Sequence, residues 1–172
     1  MKGIQMADTP LLRDLLRTNT DYAEVFDRSK LVIPPAKKLA IVACMDARLT
    51  VEEFLGLRTG DAHIIRNAGG IVTEDAVRSL IISHELLGTR EFLVINHTDC
   101  GMLTFKDKDL QDKLTKKTGV NAAKVNFHAF GDLEENVRTQ VERIRTNPFL
   151  PKDIPVTGFV YDVRSGKLNR VT

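Results

Sequence analysis

The sequence contains no tryptophan, and its only two cysteines are Cys44 and Cys100. Two cysteines are too few for the cross-linked scaffold of a small secreted domain, although one disulfide between them remains an alternative to a functional pair. No apolar run approaches the roughly 20 residues that a membrane-spanning helix needs. Residues 1–6 also lack the apolar segment of a secretory signal peptide. These absences predict a cytoplasmic protein with no membrane segment.

A strong excess of charge of either sign is also absent. The chain of 172 residues carries 25 Lys and Arg residues against 23 Asp and Glu residues, and the basic residues are scattered along it. This pattern argues against nucleic-acid binding. With 42% hydrophobic and 28% charged residues, the composition is typical of a soluble globular protein. The length suits one domain, which we expect to cover residues 1–172.

Two short apolar segments end in residues that bind metals. Leu39–Ala43 has the pattern of a buried strand in a parallel sheet, and Cys44 follows it directly. The segment 91–96 has the same character and is followed by His97 and, three residues later, Cys100. Because the carboxyl ends of parallel strands meet at one edge, both segments could deliver ligands to one point. Two thiolates and one imidazole suit zinc and leave its fourth position open, whereas a lone cysteine on a strand would more often be a core residue.

The order of these motifs resembles the β-class carbonic anhydrases, in particular their small bacterial-type members. Cys-x-Asp-x-Arg covers residues 44–48, Arg-Asn-Ala-Gly covers 66–69, and His-x-x-Cys-Gly covers 97–101. Either half alone is a weak signal, but the ordered combination over about residues 38–102 is specific. The resemblance implies one Zn²⁺ per subunit on Cys44, His97 and Cys100. It also implies reversible hydration of carbon dioxide to bicarbonate and a proton by attack of zinc-bound hydroxide.

The residues around the expected ligands have a chemical rationale. Asp46 could accept a hydrogen bond from the zinc-bound hydroxide while Arg48 holds the carboxylate in a bidentate pair; a surface salt bridge is the alternative. The resemblance adds the backbone amide of Gly101 and the side chain of Arg66 as substrate contacts. For Arg66, contact with another anion or with a dimer interface is an equal alternative. If Arg48 released it, Asp46 could instead become a fourth zinc ligand and close the site.

Two positions depart from the wider family. Pro35 stands nine residues before Cys44, where many plant-type members have a substrate-binding glutamine. Ile41 stands three residues before it, where members with a regulatory bicarbonate site have tryptophan. Neither the glutamine contact with substrate nor that regulatory site is therefore expected here. Because hydrolases of carbonyl sulfide and carbon disulfide are built on a similar scaffold, such hydrolysis is an alternative reaction, and a non-catalytic zinc-binding protein is the alternative outside enzymes.

The element pattern predicts an α/β fold with a mainly parallel central sheet of about four strands flanked by helices. Besides the two segments above, Ala62–Arg66 and Pro155–Val163 have strand patterns, and the latter turns into a hairpin with Leu168–Val171. Helices are expected over about 50–57, with Thr50 as the cap, over 73–87 and 132–146, and in part over 103–119. No clear period marks 120–131.

Residues 1–35 are predicted to be a helical arm and linker ahead of a catalytic core at about 36–172. The arm contains an expected helix from Pro10 to Phe26 with an apolar stripe, and Ile33-Pro34-Pro35 cannot be helical. Such a stripe needs a surface to cover, either the protein's own sheet or a partner subunit. The resemblance favours the partner and implies a homodimer, with a tetramer as the further alternative.

Overall fold

The computed structural model describes residues 8–172, which fall into two units, one ending at Val32 and the other spanning Ile33–Thr172. The sequence expectation about residues 1–6 lies outside this described range. Within the range, no helix combines the length and the hydropathy needed to cross a bilayer.

The first unit contains the helix α1 (Pro10–Glu24). It begins at Thr9, whose side chain accepts a hydrogen bond from the Leu12 amide at 3.1 Å and so satisfies one of the free donors of the first turn. It ends two residues before the expected Phe26, because the amide of Val25 already bonds three residues back, as in a tightened last turn. No residue of α1 is buried. Its apolar side chains form the expected stripe, and all of them are exposed: Leu11, Leu12, Leu15, Leu16 and Tyr22.

The second unit is built on a five-stranded sheet in the order β2-β1-β3-β4-β5. The strands are β1 (Leu39–Cys44), β2 (Ala62–Asn67), β3 (Glu91–His97), β4 (Val156–Tyr161) and β5 (Leu168–Arg170). The first four are mutually parallel, and β5 pairs antiparallel with β4. The mainly parallel sheet is therefore confirmed, and β5 is the second strand of the expected hairpin.

Four helices accompany the sheet: α2 (Val51–Phe54), α3 (Glu74–Glu85), α4 (Asp107–Thr118) and α5 (Leu133–Arg145). The side chains of Thr73 and Asp132 accept backbone hydrogen bonds at the starts of α3 and α5. Thr50 occupies the N-cap position of α2 as expected, but no backbone amide donates to its hydroxyl, which instead donates to the Glu53 carboxylate at 2.7 Å. α2 is also shorter than expected, since Gly56 turns the chain with a φ of 63°.

Both faces of the sheet are covered by apolar side chains. On one face, Val42 of β1 and Val94 of β3 pack with residues of α3 and α5 such as Leu80. On the other face, Ile41 packs with Val51 of α2. Because both faces are buried, the middle of β1 and of β3 is a continuous apolar run rather than an alternating one. The first polar or reactive residues after them lie at the carboxyl edge of the sheet.

Candidate metal centre

Three buried side chains converge at this carboxyl edge. Cys44 is the last residue of β1, His97 is the last residue of β3, and Cys100 follows after a short loop. Their sulfur and nitrogen atoms all lie within 4.8 Å of one another, and each side chain is at most 4% exposed. The two cysteines are free thiols and not a disulfide. The structure thus brings together the three residues that the sequence predicts as ligands.

The chain geometry explains this convergence. β1 and β3 are neighbours in the sheet, with Ala43 paired to Ile95, so both strands end side by side. Asp99 then adopts a φ of 54°, in the left-handed region that a non-glycine residue visits mainly in turns. This turn lets one short loop carry both His97 and Cys100.

His97 presents one ring nitrogen without a partner. Its Nδ1 lies 2.8 Å from the Thr98 carbonyl oxygen, which can only accept, so Nδ1 carries the proton and Nε2 the lone pair. Among residues 8–172, Nε2 of His97 is the one buried side-chain nitrogen or oxygen with no hydrogen-bond partner. A buried polar atom left unpaired is costly, and a metal ion on Nε2 would remove that cost.

The two sulfur atoms lie within 4.8 Å of each other, and each affects the ionisation of the other. The neighbouring Cys100 thiol lowers the pKa of Cys44, against the opposing effect of burial. The neighbouring Cys44, together with burial, raises the pKa of Cys100. The Gly69 amide donates a hydrogen bond to the Cys44 sulfur at 3.4 Å. One thiolate, one thiol and one imidazole lone pair form a donor set that suits zinc, whose binding would displace the remaining proton.

Asp46 lies beside this cluster and is held by Arg48. The guanidinium donates from Nε to Oδ1 at 2.9 Å and from Nη2 to Oδ2 at 2.8 Å, and the Arg48 backbone amide also donates to Oδ1. These bonds hold the pKa of Asp46 well below its usual range. The second oxygen of Asp46 lies 3.7 Å from His97 Nε2. Asp46 is therefore an ionised carboxylate, next to the ligand atoms and paired with Arg48.

Arg66 makes contacts that the sequence did not predict. It projects from β2, where its Nε donates to the Cys44 carbonyl at 3.0 Å and its Nη2 donates to the Asp46 carbonyl at 2.6 Å. Both acceptors belong to the backbone that leaves β1. Arg66 therefore holds the segment that carries the first cysteine and the carboxylate, whatever contact it makes with substrate.

Gly101 lies directly after Cys100, at the start of a 3₁₀ turn (Gly101–Leu103). A Cβ atom placed there would meet nothing within 4 Å, so the backbone faces open space on that side. This position next to a ligand sulfur is compatible with the substrate contact that the sequence suggests for its amide.

The sequence did not predict the side-chain contacts that hold the loop between His97 and Cys100. The Thr98 hydroxyl bonds to the Asp162 carboxylate at 3.4 Å, and Arg164 pairs with the Asp99 carboxylate at 3.3 Å. These partners come from the turn between β4 and β5, because β4 pairs in parallel with β3 up to His97. The signal that could have found them is this register, which the sequence does not fix.

Comparison with known proteins gives a consistent result. Residues 39–168 match the family model described as "Carbonic anhydrase". The chain is 50% identical over 159 residues to "Beta-carbonic anhydrase 1" of Mycobacterium bovis, an alignment that covers 92% of this chain and 96% of that protein. It is 37% identical over 162 residues to "Carbon disulfide hydrolase" of Acidithiobacillus thiooxidans, covering 82% and 80% of the two chains.

The fold gives the same picture. The crystal structure of a carbonic anhydrase from Streptococcus mutans superposes with a TM-score of 0.91 at 40% identity. That comparison covers 97% of this chain and all of the other. The similarity therefore spans the sheet and the cluster at its carboxyl edge.

Proposed function

The chain belongs to the β-class carbonic anhydrase family, whose members use zinc, and from this premise we propose that it catalyses the reversible hydration of carbon dioxide at Cys44, His97 and Cys100. The observation that carries the proposal is the unpaired Nε2 of His97, which lies against two free thiols. A histidine with only a structural role in the apolar core would have hydrogen-bond partners for both ring nitrogens. One Zn²⁺ per subunit is the cofactor that this donor set suits.

Zinc held by three protein ligands keeps one position open and supplies a Lewis acid that makes water nucleophilic near neutral pH. Neighbouring residues set the protonation and the charge of the proposed ligands. The Thr98 carbonyl fixes the His97 tautomer, so Nε2 is available without a change of protonation. The Gly69 amide supports the negative charge of Cys44.

Asp46 orients the attacking water. Because Arg48 keeps its pKa low, Asp46 stays ionised and serves as a hydrogen-bond acceptor rather than as a base that takes up the proton. The bidentate pair fixes the plane of the carboxylate beside the ligand atoms. A water in that position would lose one proton to solvent, and the hydroxide that remains would donate its one hydrogen to Asp46 and keep a lone pair free to attack the carbon of carbon dioxide. The Gly101 amide is suited to polarise an oxygen of that substrate, and Arg66 holds the backbone on the other side.

A closed state with Asp46 as a fourth ligand remains a prediction. It would require the carboxylate to leave its three hydrogen bonds with Arg48 and move toward His97 Nε2, 3.7 Å away. Hydrolysis of carbon disulfide or carbonyl sulfide is the second candidate reaction, favoured by the 37% identity to a carbon disulfide hydrolase. The 50% identity to a β-carbonic anhydrase places carbon dioxide first.

The protein is proposed to act as a homodimer, with α1 packing on the partner subunit. The support is the exposed apolar stripe of α1, in which Leu11 is 69% and Leu15 is 58% exposed. A cytoplasmic location is proposed because the two functional cysteines must stay reduced, a condition that the cytosol maintains.

Stopped-flow hydration of carbon dioxide, with zinc measured on the same samples, tests the proposed function. The wild-type protein should contain one zinc per chain and turn over rapidly, and Cys100→Ser should lose both zinc and activity. Met102→Leu is the matched control, because Met102 packs in the same apolar cluster as Cys100 and the change conserves volume. One zinc per chain without hydration, but with sulfide released from carbon disulfide, would instead establish the second candidate.

A further inference from the structure

Three amide side chains are buried among apolar residues between the sheet and α5. Asn96 on β3 is 1% exposed, and Asn136 and Gln140, one turn apart on α5, are 8% and 3% exposed. Buried amides are uncommon at core positions, because each leaves several donors and acceptors to satisfy. All three are hydrogen-bonded, and they bond to one another.

The three amides form one directional chain. The backbone amide of Val72 donates to Gln140 Oε1 at 2.9 Å, and Gln140 Nε2 donates to Asn136 Oδ1 at 2.9 Å. Asn136 Nδ2 then donates to Asn96 Oδ1 at 2.7 Å, and Asn96 Nδ2 donates to the Gly69 carbonyl at 2.9 Å. Because the chain begins at a backbone donor and ends at a backbone acceptor, the orientation of every amide in it is fixed.

Both ends of this chain lie on the same loop, residues 68–72, which follows β2. The loop carries the Gly69 amide that donates to the Cys44 sulfur at 3.4 Å. It lies close against the sheet: a Cβ on Gly70 would come within 2.8 Å of Asn96 Nδ2 and 3.0 Å of the Cys44 amide nitrogen. A small displacement of the loop would therefore change the distance from Gly69 to the sulfur.

We propose that Asn96, Asn136 and Gln140 are positioning residues, an amide relay through which α5 holds the Gly69 amide against the Cys44 sulfur. This inference rests on the proposed role of Cys44 as a metal ligand. Hydrogen bonds to a ligand sulfur reduce the charge it donates, and partners beyond the ligands tune metal affinity. α5 itself supplies no ligand, so it acts on the metal centre only indirectly, through the hydrogen bonds of the relay.

A structural role in the core alone would not need this arrangement. Apolar side chains of the same volume would fill the space without the free-energy cost of any polar atom left unpaired in a buried network. What apolar side chains could not do is hold the Gly69 carbonyl and the Val72 amide in fixed places at once. The relay therefore stabilises one conformation of the loop and not merely the contact of α5 with the sheet.

The test is Asn136→Leu, which conserves shape and interrupts the relay without touching the loop or the cluster. Ile144→Val is the matched control, since it weakens the same core face of α5 two turns away. In the zinc-loaded protein, hydrogen exchange of the Gly69 amide should accelerate at least tenfold more than that of Val42 in the interior strand β1. Ile144→Val should accelerate the two amides alike. By competition with a chromophoric chelator, Asn136→Leu should weaken zinc binding about tenfold or more, while the control stays near wild type.

Equal acceleration of Gly69 and Val42 in Asn136→Leu would overturn the inference. If this variant does not fold, the wild-type protein provides a second test. The side-chain NH₂ groups of Asn96, Asn136 and Gln140 should exchange slowly with solvent. Exchange at the rate of free amides would show that the relay does not exist. A protein that binds no zinc would refute the proposed function, yet the same exchange comparison between Gly69 and Val42, made on the metal-free protein, would still test the relay.

Discussion

At the scale of single residues, the acceptor atoms of the site differ in whether they already receive a hydrogen bond. Both oxygens of Asp46 are occupied by Arg48, whereas Nε2 of His97 has no donor at all. A cation arriving at the cluster therefore meets His97 without competition but would have to displace Arg48 to reach Asp46. This difference is the reason for proposing His97 as a ligand and Asp46 as the residue that orients water, although the two atoms are only 3.7 Å apart.

Replacement of the carboxylate tests this assignment. Asp46→Asn keeps the shape but puts a donor group where Arg48 and the attacking water both require an acceptor. We expect the carbon dioxide hydration rate to fall roughly 10- to 100-fold with zinc content unchanged. Asp75→Asn is the control, because Asp75 also receives two hydrogen bonds from an arginine three residues on but lies on the exposed face of α3. A normal rate in Asp46→Asn would contradict the proposed role.

Asp107 provides a pH-dependent contribution to stability away from the metal centre. Burial opposes its ionisation, but hydrogen bonds from the amides of Ala129 and Phe127, both at 2.8 Å, together lower its pKa. Since the folded pKa is below the unfolded value of about 3.9, the contribution is complete above that value and is lost as the pH falls through the folded pKa.

Urea titrations from pH 7 to pH 3 measure this contribution. We expect Asp107→Asn to lower the free energy of unfolding at pH 7 and to flatten its fall below about pH 4. Asp109→Asn, two residues further along the same helix, should keep the wild-type profile. An acid slope in Asp107→Asn equal to that of the wild type would contradict the expectation.

The convergence of Cys44, His97 and Cys100 could be predicted from the sequence because its signal is local. A thiol or an imidazole directly after an apolar strand needs no tertiary knowledge beyond the rule that parallel strands end at one edge. The contacts of Arg66 with the Cys44 carbonyl and of Thr98 with Asp162 could not be predicted, since each joins segments whose register is set by the whole sheet. The amide relay left a weak local signal, two amides at core positions of an amphipathic helix.

At the scale of elements, the helix starts were more predictable than the helix ends. Thr73 and Asp132 mark the starts of α3 and α5 because a side-chain oxygen at the cap acts on the nearest amides. Thr50 has the same sequence signature, yet its hydroxyl finds a carboxylate one turn away. The backbone of Thr50, with φ −101° and ψ 84°, also departs from the extended conformation of Thr73 and Asp132, and no amide of α2 donates to its oxygen.

The packing of α5 on β4 depends on Gly158. A Cβ there would overlap Cγ1 of Val137 and come within 2.9 Å of Cγ2 of Val141, both in α5. We expect Gly158→Ala to lower the free energy of unfolding by about 1–3 kcal/mol, the usual cost of overpacking. Gly131→Ala is the control, since nothing lies within 4 Å of its Cβ position, and should stay within about 0.5 kcal/mol of wild type. Equal stabilities for the two variants would show that α5 can shift freely on the sheet.

At the scale of the whole molecule, the apolar stripe of α1 is left uncovered by residues 8–32, the described part of its own unit. Its stripe is as apolar as that of a core helix, but no residue of it is buried. Exposed apolar faces of this kind mark interaction surfaces in soluble proteins. In a two-fold symmetric dimer, each stripe residue would be buried twice, so one substitution acts on both subunits.

Leu15→Glu tests the proposed homodimer. Burial of a leucine contributes about 1.5–3 kcal/mol per side chain, and the new carboxylates would have to be desolvated in the interface. We therefore expect the mass measured by light scattering after gel filtration to fall from that of a dimer, or of a tetramer, to that of the 19.3 kDa chain. Thr20→Glu introduces the same charge outside the stripe and should leave the assembly intact. A wild-type protein that is monomeric at micromolar concentration, or a Leu15→Glu variant of unchanged mass, would assign α1 a role other than dimer formation.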